Sequence, residues 1–394
     1  MALQELFKGT KVLELASVLA GPNVGQFFAE LGAEVIKIEN PKTRGDVTRS
    51  WRTPAEHEGD VSAYFSCTNW GKRSLSLDIS TSEGAEIFYQ LTRQSDFVIA
   101  SYKPGDAEKL GVDYPTLSTF NKELIYGEIT GYGPGNPKVG YDAVIQAESG
   151  FMYMNGEMNS APTKMPVALI DILAGHQLKE AMLLAYIQRL KTGKGAHVSV
   201  SLIDTALASL ANQGTNWLTT GNEPRRKGSK HPNIAPYGDI FTTLDDVQVI
   251  LAVGTNTQFQ KLCDILGLHH VPGDADFCNN AERVKNRQKL DILLEGKIRK
   301  IKSDILLAKL EVHKVPAGKI NKVSEALGLP GAHKLIMGDR GPSGLRSFVA
   351  EGLPVNFSHF LPPPKFGEHT YPILGEKLGL TALDIENLAK KHII

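Results

Sequence analysis

The sequence lacks the residue patterns that mark several large classes of protein. Only three of its 394 residues are cysteines, Cys67, Cys263 and Cys278, and their spacing matches no metal-binding motif. So few cysteines, in an odd number, favour reduced thiols over a disulfide framework. The eleven histidines form no metal-ligand pattern either. We therefore expect neither a disulfide-stabilised fold nor a metal site.

Excess charge and long apolar runs are also absent. Basic and acidic residues number 43 each, so no overall field attracts nucleic acid or an anionic membrane. No apolar run approaches the roughly 20 residues that span a bilayer. The N-terminus, Met1 to Glu5, has neither the apolar core of a signal peptide nor the arginines of a transit peptide. We expect a cytoplasmic protein that binds neither nucleic acid nor membrane.

Two common nucleotide-binding motifs are missing. A first βαβ unit ends at the acidic Glu39, as dinucleotide-binding units do, but only Gly21 and Gly25 lie between its first strand and its helix. The G-x-G-x-x-G pattern that lets a pyrophosphate approach the backbone is therefore absent. A phosphate loop of the G-x-x-x-x-G-K type and a G-x-S-x-G elbow are missing as well. These absences disfavour a bound NAD.

The hydrophobic pattern alternates between strands and helices. It predicts buried strands at 11–15, 34–39, 74–79, 97–100 and 124–129, and helices at 23–31, 82–92 and 171–190. Strands that alternate with helices in this way form a largely parallel sheet covered on both faces. The pattern therefore predicts an α/β protein.

The length of the chain predicts more than one domain. A polar, basic stretch at 221–236, rich in glycine and proline, is typical of a domain boundary or an exposed loop. After it, the pattern predicts a hairpin at 237–253 and helices near 257–266, 281–300 and 303–311. These elements would form a small α+β domain.

Asp171 is the most interesting polar residue in this pattern. It follows the strand-like segment Val167 to Ile170 and precedes the longest predicted helix, which Gly193 and Gly195 end. One interpretation is that Asp171 caps the helix, a common role for aspartate that the spacing alone favours. The other is that the helix amides and dipole hold its carboxylate ionised as a nucleophile.

Several motifs, taken together, resemble the family III CoA-transferases, which include formyl-CoA transferase and the carnitine CoA-transferase and are related to the α-methylacyl-CoA racemases. The resemblance covers nearly the whole chain. Its motifs, in order, are Gly32 to Pro41 with Gly45, Asp46 and Arg49; Lys72 to Asp78; Tyr102 to Gly105 with Leu110 and Gly111; Gly131 to Gly133; Tyr141 and Asp142; Asp171 and Gly175; Gly193 to Leu202; His231 and Pro232; Ala235 to Tyr237; Val315 and Pro316; and Leu374 and Gly375.

The resemblance implies a covalent CoA-transfer reaction. The aspartate that matches Asp171 attacks an acyl-CoA donor, and Tyr141 and Asp142 help to shape the acyl site. Coenzyme A is then a substrate, and no cofactor is bound permanently. The residues implied to contact the nucleotide are Val18, Leu19, Leu77, Asp78, Ser80, Ser101, Tyr102, Lys103 and Lys109. The chain departs from family patterns at Asn40, where formyl-CoA transferase has an arginine, and at Ser101, where many members have asparagine.

Two other functions remain as alternatives. A racemase of the related branch has a histidine in the loop that here reads Gly140-Tyr141-Asp142, and tyrosine titrates too high, near 10, to replace it as a base. A CoA-binding protein without turnover is the non-enzymatic alternative, disfavoured by the presence of Asp171. The sequence does not identify the acyl donor or the acceptor, although succinate is a candidate for either.

The resemblance also implies an architecture. We expect a doubly wound, Rossmann-like large domain formed by residues 1–224 and 326–394, with a small α+β domain at 225–325. Family members resemble one another in forming interlocked homodimers, so we expect a homodimer here.

Overall fold

The computed structural model describes residues 6–57, 61–338, 343–350 and 360–394. These residues form two compact units. The first lies within residues 1–149, 165–215 and 333–394, and the second comprises 150–164 and 216–332. The predicted division at residues 225 and 325 stays a prediction, as does the homodimer.

A six-stranded parallel sheet forms the centre of the first unit. Its strands are β1 (Lys11–Leu15), β2 (Glu34–Glu39), β3 (Lys72–Ser76), β4 (Phe97–Ala100), β5 (Ile125–Thr130) and β6 (Ala196–Ser201). They lie in the order β3-β2-β1-β4-β5-β6, and every neighbouring pair is parallel. The prediction of an α/β protein with a parallel sheet is confirmed. The order reverses between β1 and β4, where sheets of this kind open a crevice at their carboxyl edge.

Helices connect these strands. In the first unit they are α1 (Ala20–Glu30), α2 (Ala63–Ser66), α3 (Ser82–Arg93), α4 (Asp106–Leu110), α5 (Tyr114–Phe120), α6 (Asp142–Glu148), α8 (Leu169–Thr192), α9 (Leu202–Ala208), α16 (Thr370–Leu378) and α17 (Ala382–Lys390). Helix α7 (Phe151–Met154) belongs to the second unit, and α10 (Ala211–Thr220) runs from the first unit into the second. A short two-stranded ladder joins β10 (Ile336–Met337) to β11 (Gly344–Leu345).

Both faces of the sheet are covered, because its strands are apolar on both sides. On one face, Phe28 of α1 and Tyr186 of α8 pack around Phe97, with ring centroids 4.7 and 5.6 Å from it. On the other face, α3, α5 and α16 contribute Phe88, Leu117 and Ile373 to a buried cluster that includes residues of β1, β3 and β4. The C-terminal segment thus belongs to the core of the first unit.

The second unit has its own sheet and core. Antiparallel strands β7 (Tyr237–Thr242), β8 (Gln248–Ala252) and β9 (Ala317–Lys319) pair in that order. Its remaining helices are α11 (Asn256–Ile265), α12 (Asn280–Lys285), α13 (Arg287–Ile298), α14 (Ser303–Val312) and α15 (Val323–Leu327). Phe241, Phe259, Leu290 and Leu306 are among its fully buried side chains. The predicted hairpin is confirmed as β7 and β8.

Three elements differ from the sequence-based prediction. The helix expected at 281–300 is divided, because Asn286 ends α12 and begins α13. Strand β6 was not predicted, since only alternate residues of an edge strand are apolar. The strand-like interpretation of Val167 to Ile170 is wrong, because Leu169 and Ile170 already belong to α8. A four-residue apolar run fits a strand and a buried helical turn equally well.

Among the described residues, no helix combines the length and the apolar character needed to cross a membrane.

Candidate active site

The carboxyl ends of the central strands bring together most of the residues singled out in the sequence. Val18 and Leu19 follow β1, Leu77 to Ser80 follow β3, and Ser101 to Lys103 follow β4. Because parallel strands all end at the same edge, segments far apart in sequence meet there. The edge is therefore a candidate site for a ligand that extends across several strands.

Asp171 lies in the first turn of α8 and does not cap it. The helix begins at Leu169, and its N-cap residue, Ala168, offers no side chain to the free amides of the first turn. The interpretation of Asp171 as a capping residue is therefore wrong. Among the described residues, no donor forms a hydrogen bond to the Asp171 carboxylate, so its oxygens are available for another role.

Asp142 supplies the missing cap from another helix. It is the first residue of α6, and its Oδ1 accepts the backbone N–H of Ile170 at 2.8 Å. Its Oδ2 accepts a hydrogen bond of 2.7 Å from Nε2 of Gln146, one turn later on α6. A side chain that caps a helix from outside releases the residues of the first turn from that task. Asp142 thus explains why Asp171 remains unbonded.

Burial, and then the charge of Asp142, raise the pKa of Asp171 to about 7. The side chain is only 8% exposed. The sequence led us to expect the opposite, because a helix N-terminus favours an ionised carboxylate. That attraction amounts to roughly 1 kcal/mol, whereas loss of hydration around a buried carboxylate costs several. Near neutral pH the carboxyl group therefore exists in both forms.

Tyr64 and Tyr141 lie in different environments. Burial, and then the charge of Asp171, raise the pKa of Tyr64 to about 12, so its phenol stays protonated and can donate a hydrogen bond. The Tyr64 ring packs edge-on against Trp51, with centroids 5.0 Å apart. Tyr141, in contrast, is 58% exposed. The exposed ring of Tyr141 leaves it accessible to a substrate.

Gly175 sets the position of α8 relative to α1. A Cβ at this position would lie 3.1 Å from the carbonyl oxygen of Ala20 and 3.3 Å from Oδ1 of Asn23. One turn later, Lys179 Nζ donates to the same Asn23 oxygen at 2.5 Å. Only a residue without a side chain permits this approach without displacing α1. The motif pairing of Asp171 with Gly175 thus has a physical reason, since it fixes the start of α8 against the β1–α1 connection.

A buried charge network supports the loop that bears Val18. Lys37 Nζ lies 2.9 Å from Glu14 Oε1 and 3.0 Å from Asp46 Oδ2, and Glu14 also contacts Lys72 at 2.7 Å. Asp46 Oδ1 accepts the backbone N–H of Val18 at 3.3 Å. Val18 has a φ of 71°, a conformation that β-branched residues rarely adopt. The network therefore helps to hold a strained loop at the carboxyl edge.

Two of the predicted nucleotide contacts have buried side chains. Leu77 and Asp78 are at most 1% exposed as whole residues, and their backbone N–H groups donate to Glu39 and Ile393, so both support the edge from inside. The Asp78 carboxylate accepts the N–H and the hydroxyl of Ser80, at 3.0 and 2.6 Å, and lies 2.7 Å from Lys42 Nζ. The Lys42 side chain is mostly exposed, so its ion pair with Asp78 places a positive charge at the surface beside the carboxyl edge of the sheet.

The residues after β4 are less closely organised. Ser101 and Lys103 are exposed, while Tyr102 packs its ring against the core of the first unit. Lys109, on α4, forms an exposed ion pair with Asp106 at 3.2 Å. A lysine held only by an exposed pair can change partners readily. The side chains of Lys103 and Lys109 can therefore bind an anionic ligand.

Sequence reasoning missed Lys42, Tyr64 and Gln146. A signal was present for Gln146, because it lies four residues after Asp142 and so on the same face of a helix. Lys42 lies two residues after Asn40, where the chain departs from the arginine of formyl-CoA transferase. Tyr64 had no local signal, since only the tertiary fold brings it near Asp171. Within the described ranges, no group of three or more potential ligand side chains could hold a metal ion.

Comparison with known proteins gives a consistent result. The model of CoA-transferase family III matches residues 7–370. The succinate–glutarate CoA-transferase of Agrobacterium fabrum is 38% identical over 93% of this chain and 94% of its own length. The human succinyl-CoA:glutarate CoA-transferase is 33% identical over 94% of this chain and 86% of its own. The crystal structure of a CAIB/BAIF family protein from Brucella suis superimposes with a TM-score of 0.82 and 40% identity, covering 94% of this chain and 99% of that one.

Proposed function

This chain belongs to CoA-transferase family III, and we propose that it moves coenzyme A from an acyl-CoA donor to a carboxylic acid acceptor through covalent intermediates on Asp171. The transferase class follows from the family. The intermediate, the roles of the site residues and the substrates are the proposal.

The observation that supports Asp171 as the nucleophile is its unbonded, buried carboxylate at the start of α8. A nucleophile is more reactive when no hydrogen bond occupies its lone pairs and little water surrounds it. Burial and Asp142 raise its pKa to about 7, which makes the anion more basic than an ordinary carboxylate. Enough of it is ionised at neutral pH for attack on a thioester.

The reaction would proceed by four exchanges at a carbonyl carbon. The Asp171 carboxylate attacks the donor thioester, which forms an aspartyl anhydride and releases the CoA thiolate. That thiolate attacks the aspartyl carbonyl, forms an aspartyl-CoA thioester and releases the donor acid. The acceptor carboxylate then displaces CoA to form a new anhydride. Finally the thiolate attacks the acceptor carbonyl, which yields the new acyl-CoA and regenerates Asp171.

The other predicted residues would bind and position the substrates. Val18 and Leu19 would contact the nucleotide, with Ser80 beside them, and the buried Leu77 and Asp78 would support that region. Ser101, Tyr102, Lys103 and Lys109 would complete that site, where cations and amide donors suit phosphate groups. Tyr141 and Asp142 would shape the acyl site. An enclosed site protects the anhydride from water, which keeps the energy of the thioester in the intermediates.

We further propose that the acids are dicarboxylates. Two relatives are named for succinate or succinyl-CoA together with glutarate. The expectation of succinate as a substrate agrees with those names. Acyl selectivity depends on the shape of the pocket, so related enzymes can differ in their preferred acid.

The test is to trap the intermediate. The protein is incubated with succinyl-CoA and hydroxylamine, which converts an aspartyl anhydride or thioester into a hydroxamate. We expect inactivation, release of CoA and a modified peptide with the label on Asp171. Asp171→Ala should abolish transfer to glutarate and keep most of the affinity for CoA.

Three outcomes would contradict the proposal. Labelling at another residue would mean that this residue, and not Asp171, is the nucleophile. Transfer without any trappable intermediate would exclude the covalent route. Exchange of an α-proton without acyl transfer would instead favour the racemase alternative. Glu180→Gln, which changes an exposed carboxylate on the same helix, is the matched control and should remain active. The homodimer and the cytoplasmic location are proposals that sedimentation and cell fractionation would test.

A further inference from the structure

Gln146 is a fully buried polar residue to which the reaction described above assigns no role. Both the oxygen and the nitrogen of its side-chain amide form hydrogen bonds within the candidate site. We propose that Gln146 is a positioning residue that holds the Asp142 carboxylate turned toward the start of α8, beside Asp171. The inference rests on the proposed function of Asp171.

The orientation of the Gln146 amide follows from its partners. Its Oε1 accepts the backbone N–H of Met165 at 2.9 Å, and a backbone N–H can only donate. The opposite end, Nε2, must therefore donate, and it does so to Asp142 Oδ2 at 2.7 Å. The amide cannot flip without placing two donors face to face. Gln146 thus presents a fixed donor to Asp142.

Hydrogen bonds hold both oxygens of Asp142 in place. One accepts from Gln146 and the other from the N–H of Ile170. The carboxylate therefore stays turned toward the start of α8, where its charge adds to the effect of burial in raising the pKa of Asp171. Asp171 itself has no hydrogen-bond donor among the described residues. Removing the donor on Gln146 would leave one of the two Asp142 oxygens without its hydrogen bond.

Other titratable groups near the pair do not contact Gln146. The charge of Asp171 acts on Tyr64 of α2, as do those of Cys67, the residue after α2, and Asp46, which follows β2. On α9, the Asp204 carboxylate accepts a hydrogen bond from the Ser201 hydroxyl. Further along α8 lie His176, Lys179 and Glu180, of which Lys179 bonds to Asn23. A substitution at Gln146 leaves all of these in place, so a change in pH dependence would report on the two carboxyl groups.

Two substitutions should move the pH dependence in opposite directions. In Gln146→Leu, Asp142 loses the donor that orients it, so its charge acts less on Asp171, which is then ionised at lower pH. In Gln146→Glu, an additional negative charge beside the pair makes ionisation of Asp171 harder. We expect the acid limb of kcat/KM to fall by about one pH unit in the first variant and to rise by a similar amount in the second.

The experiment measures transfer from succinyl-CoA to glutarate between about pH 5 and pH 9 for the wild type and both variants. Gln177→Leu is the matched control, because Gln177 is a glutamine on α8 whose side chain, among the described residues, bonds only to Thr205. We expect the control to keep the wild-type acid limb. Thermal melting and CoA affinity verify that each variant is folded.

The outcomes separate this inference from the proposed function. If both Gln146 variants lose rate equally at every pH, or shift in the same direction, the positioning role is wrong even though hydroxylamine still labels Asp171. If the wild type gives no label on Asp171, the proposed function itself fails. Opposite shifts in folded variants, with an unchanged control, would support the inference.

Discussion

Ile170 donates its backbone N–H to the carboxylate of Asp142 at 2.8 Å, although 28 residues separate the two. This bond caps α8 from the neighbouring helix α6. It fixes a negative charge beside Asp171 and relieves Asp171 of the capping role. The arrangement couples the structure of the helix terminus to the chemistry of the proposed nucleophile, because the residue that caps the helix adds to the effect of burial on the pKa of Asp171.

The raised pKa of Asp171 predicts a pH-dependent gain of stability in Asp171→Asn. The folded-state pKa of about 7 exceeds the reference value of 3.8, so the folded protein binds the proton more tightly than the unfolded chain. The stability that this proton provides is complete below the reference value and is lost as the pH rises through about 7. The variant avoids that loss. Its advantage in the free energy of unfolding should grow by about 3 kcal/mol between about pH 5 and pH 8.5.

Chemical denaturation at several pH values measures this difference. Glu180→Gln, an exposed substitution on the same helix, should show no such trend. A difference in the free energy of unfolding between the wild type and Asp171→Asn that stays constant with pH would mean that burial does not raise the pKa of Asp171.

The buried network predicts a large loss of stability in Glu14→Gln. Glu14 is the carboxylate shared by Lys37 and Lys72, which are both buried. Neutralising Glu14 removes the negative charge that offsets the two buried ammonium groups. Breaking a buried ion pair typically costs roughly 3 to 5 kcal/mol, so we expect the free energy of unfolding to fall by about 3 kcal/mol or more. Urea denaturation should show this loss. Glu86→Gln, which removes an exposed pair with Arg93, should change stability by less than about 1 kcal/mol.

Close backbone packing predicts that Gly140→Ala disrupts the loop before Tyr141. A Cβ at position 140 would lie 2.4 Å from the Cα of Gly131, closer than side-chain atoms can approach. The loop must move, and it carries Tyr141 and Asp142 with it. Since a small misplacement of reacting groups costs about a hundredfold, we expect kcat to fall by about tenfold or more. Val139→Ala, on the exposed side of the same loop, should be nearly neutral.

The pairing of Lys42 with Asp78 predicts a role in binding coenzyme A. Lys42 is an exposed cation at the carboxyl edge, beside the predicted nucleotide contacts. Its loss in Lys42→Ala should raise the KM for acyl-CoA several-fold, by about 1 kcal/mol of binding energy, and leave kcat nearly unchanged. Raising the salt concentration should reduce the difference. An equal effect of Lys122→Ala, an exposed lysine before β5, would exclude a specific contact.

The fold was largely predictable because its strands are short apolar runs that alternate with amphipathic helices. The edge strand β6 and the division of the helix at Asn286 were not, since neither changes the apolar pattern strongly. In the candidate site, the motifs singled out Asp171, Tyr141 and Asp142. Tyr64, whose pKa the charge of Asp171 raises, was not predicted because the two residues are more than a hundred positions apart in the chain.

The sequence by itself determined the α/β class, the order of most elements and the identity of the candidate nucleophile, since these follow from local periodicity and short motifs. The tertiary structure decided the state of that nucleophile. Its near-neutral pKa comes from burial and then from the charge of Asp142, and Gln146 holds Asp142 in place on another helix. Hydration and electrostatic interaction act across the folded chain, so no local pattern reveals them.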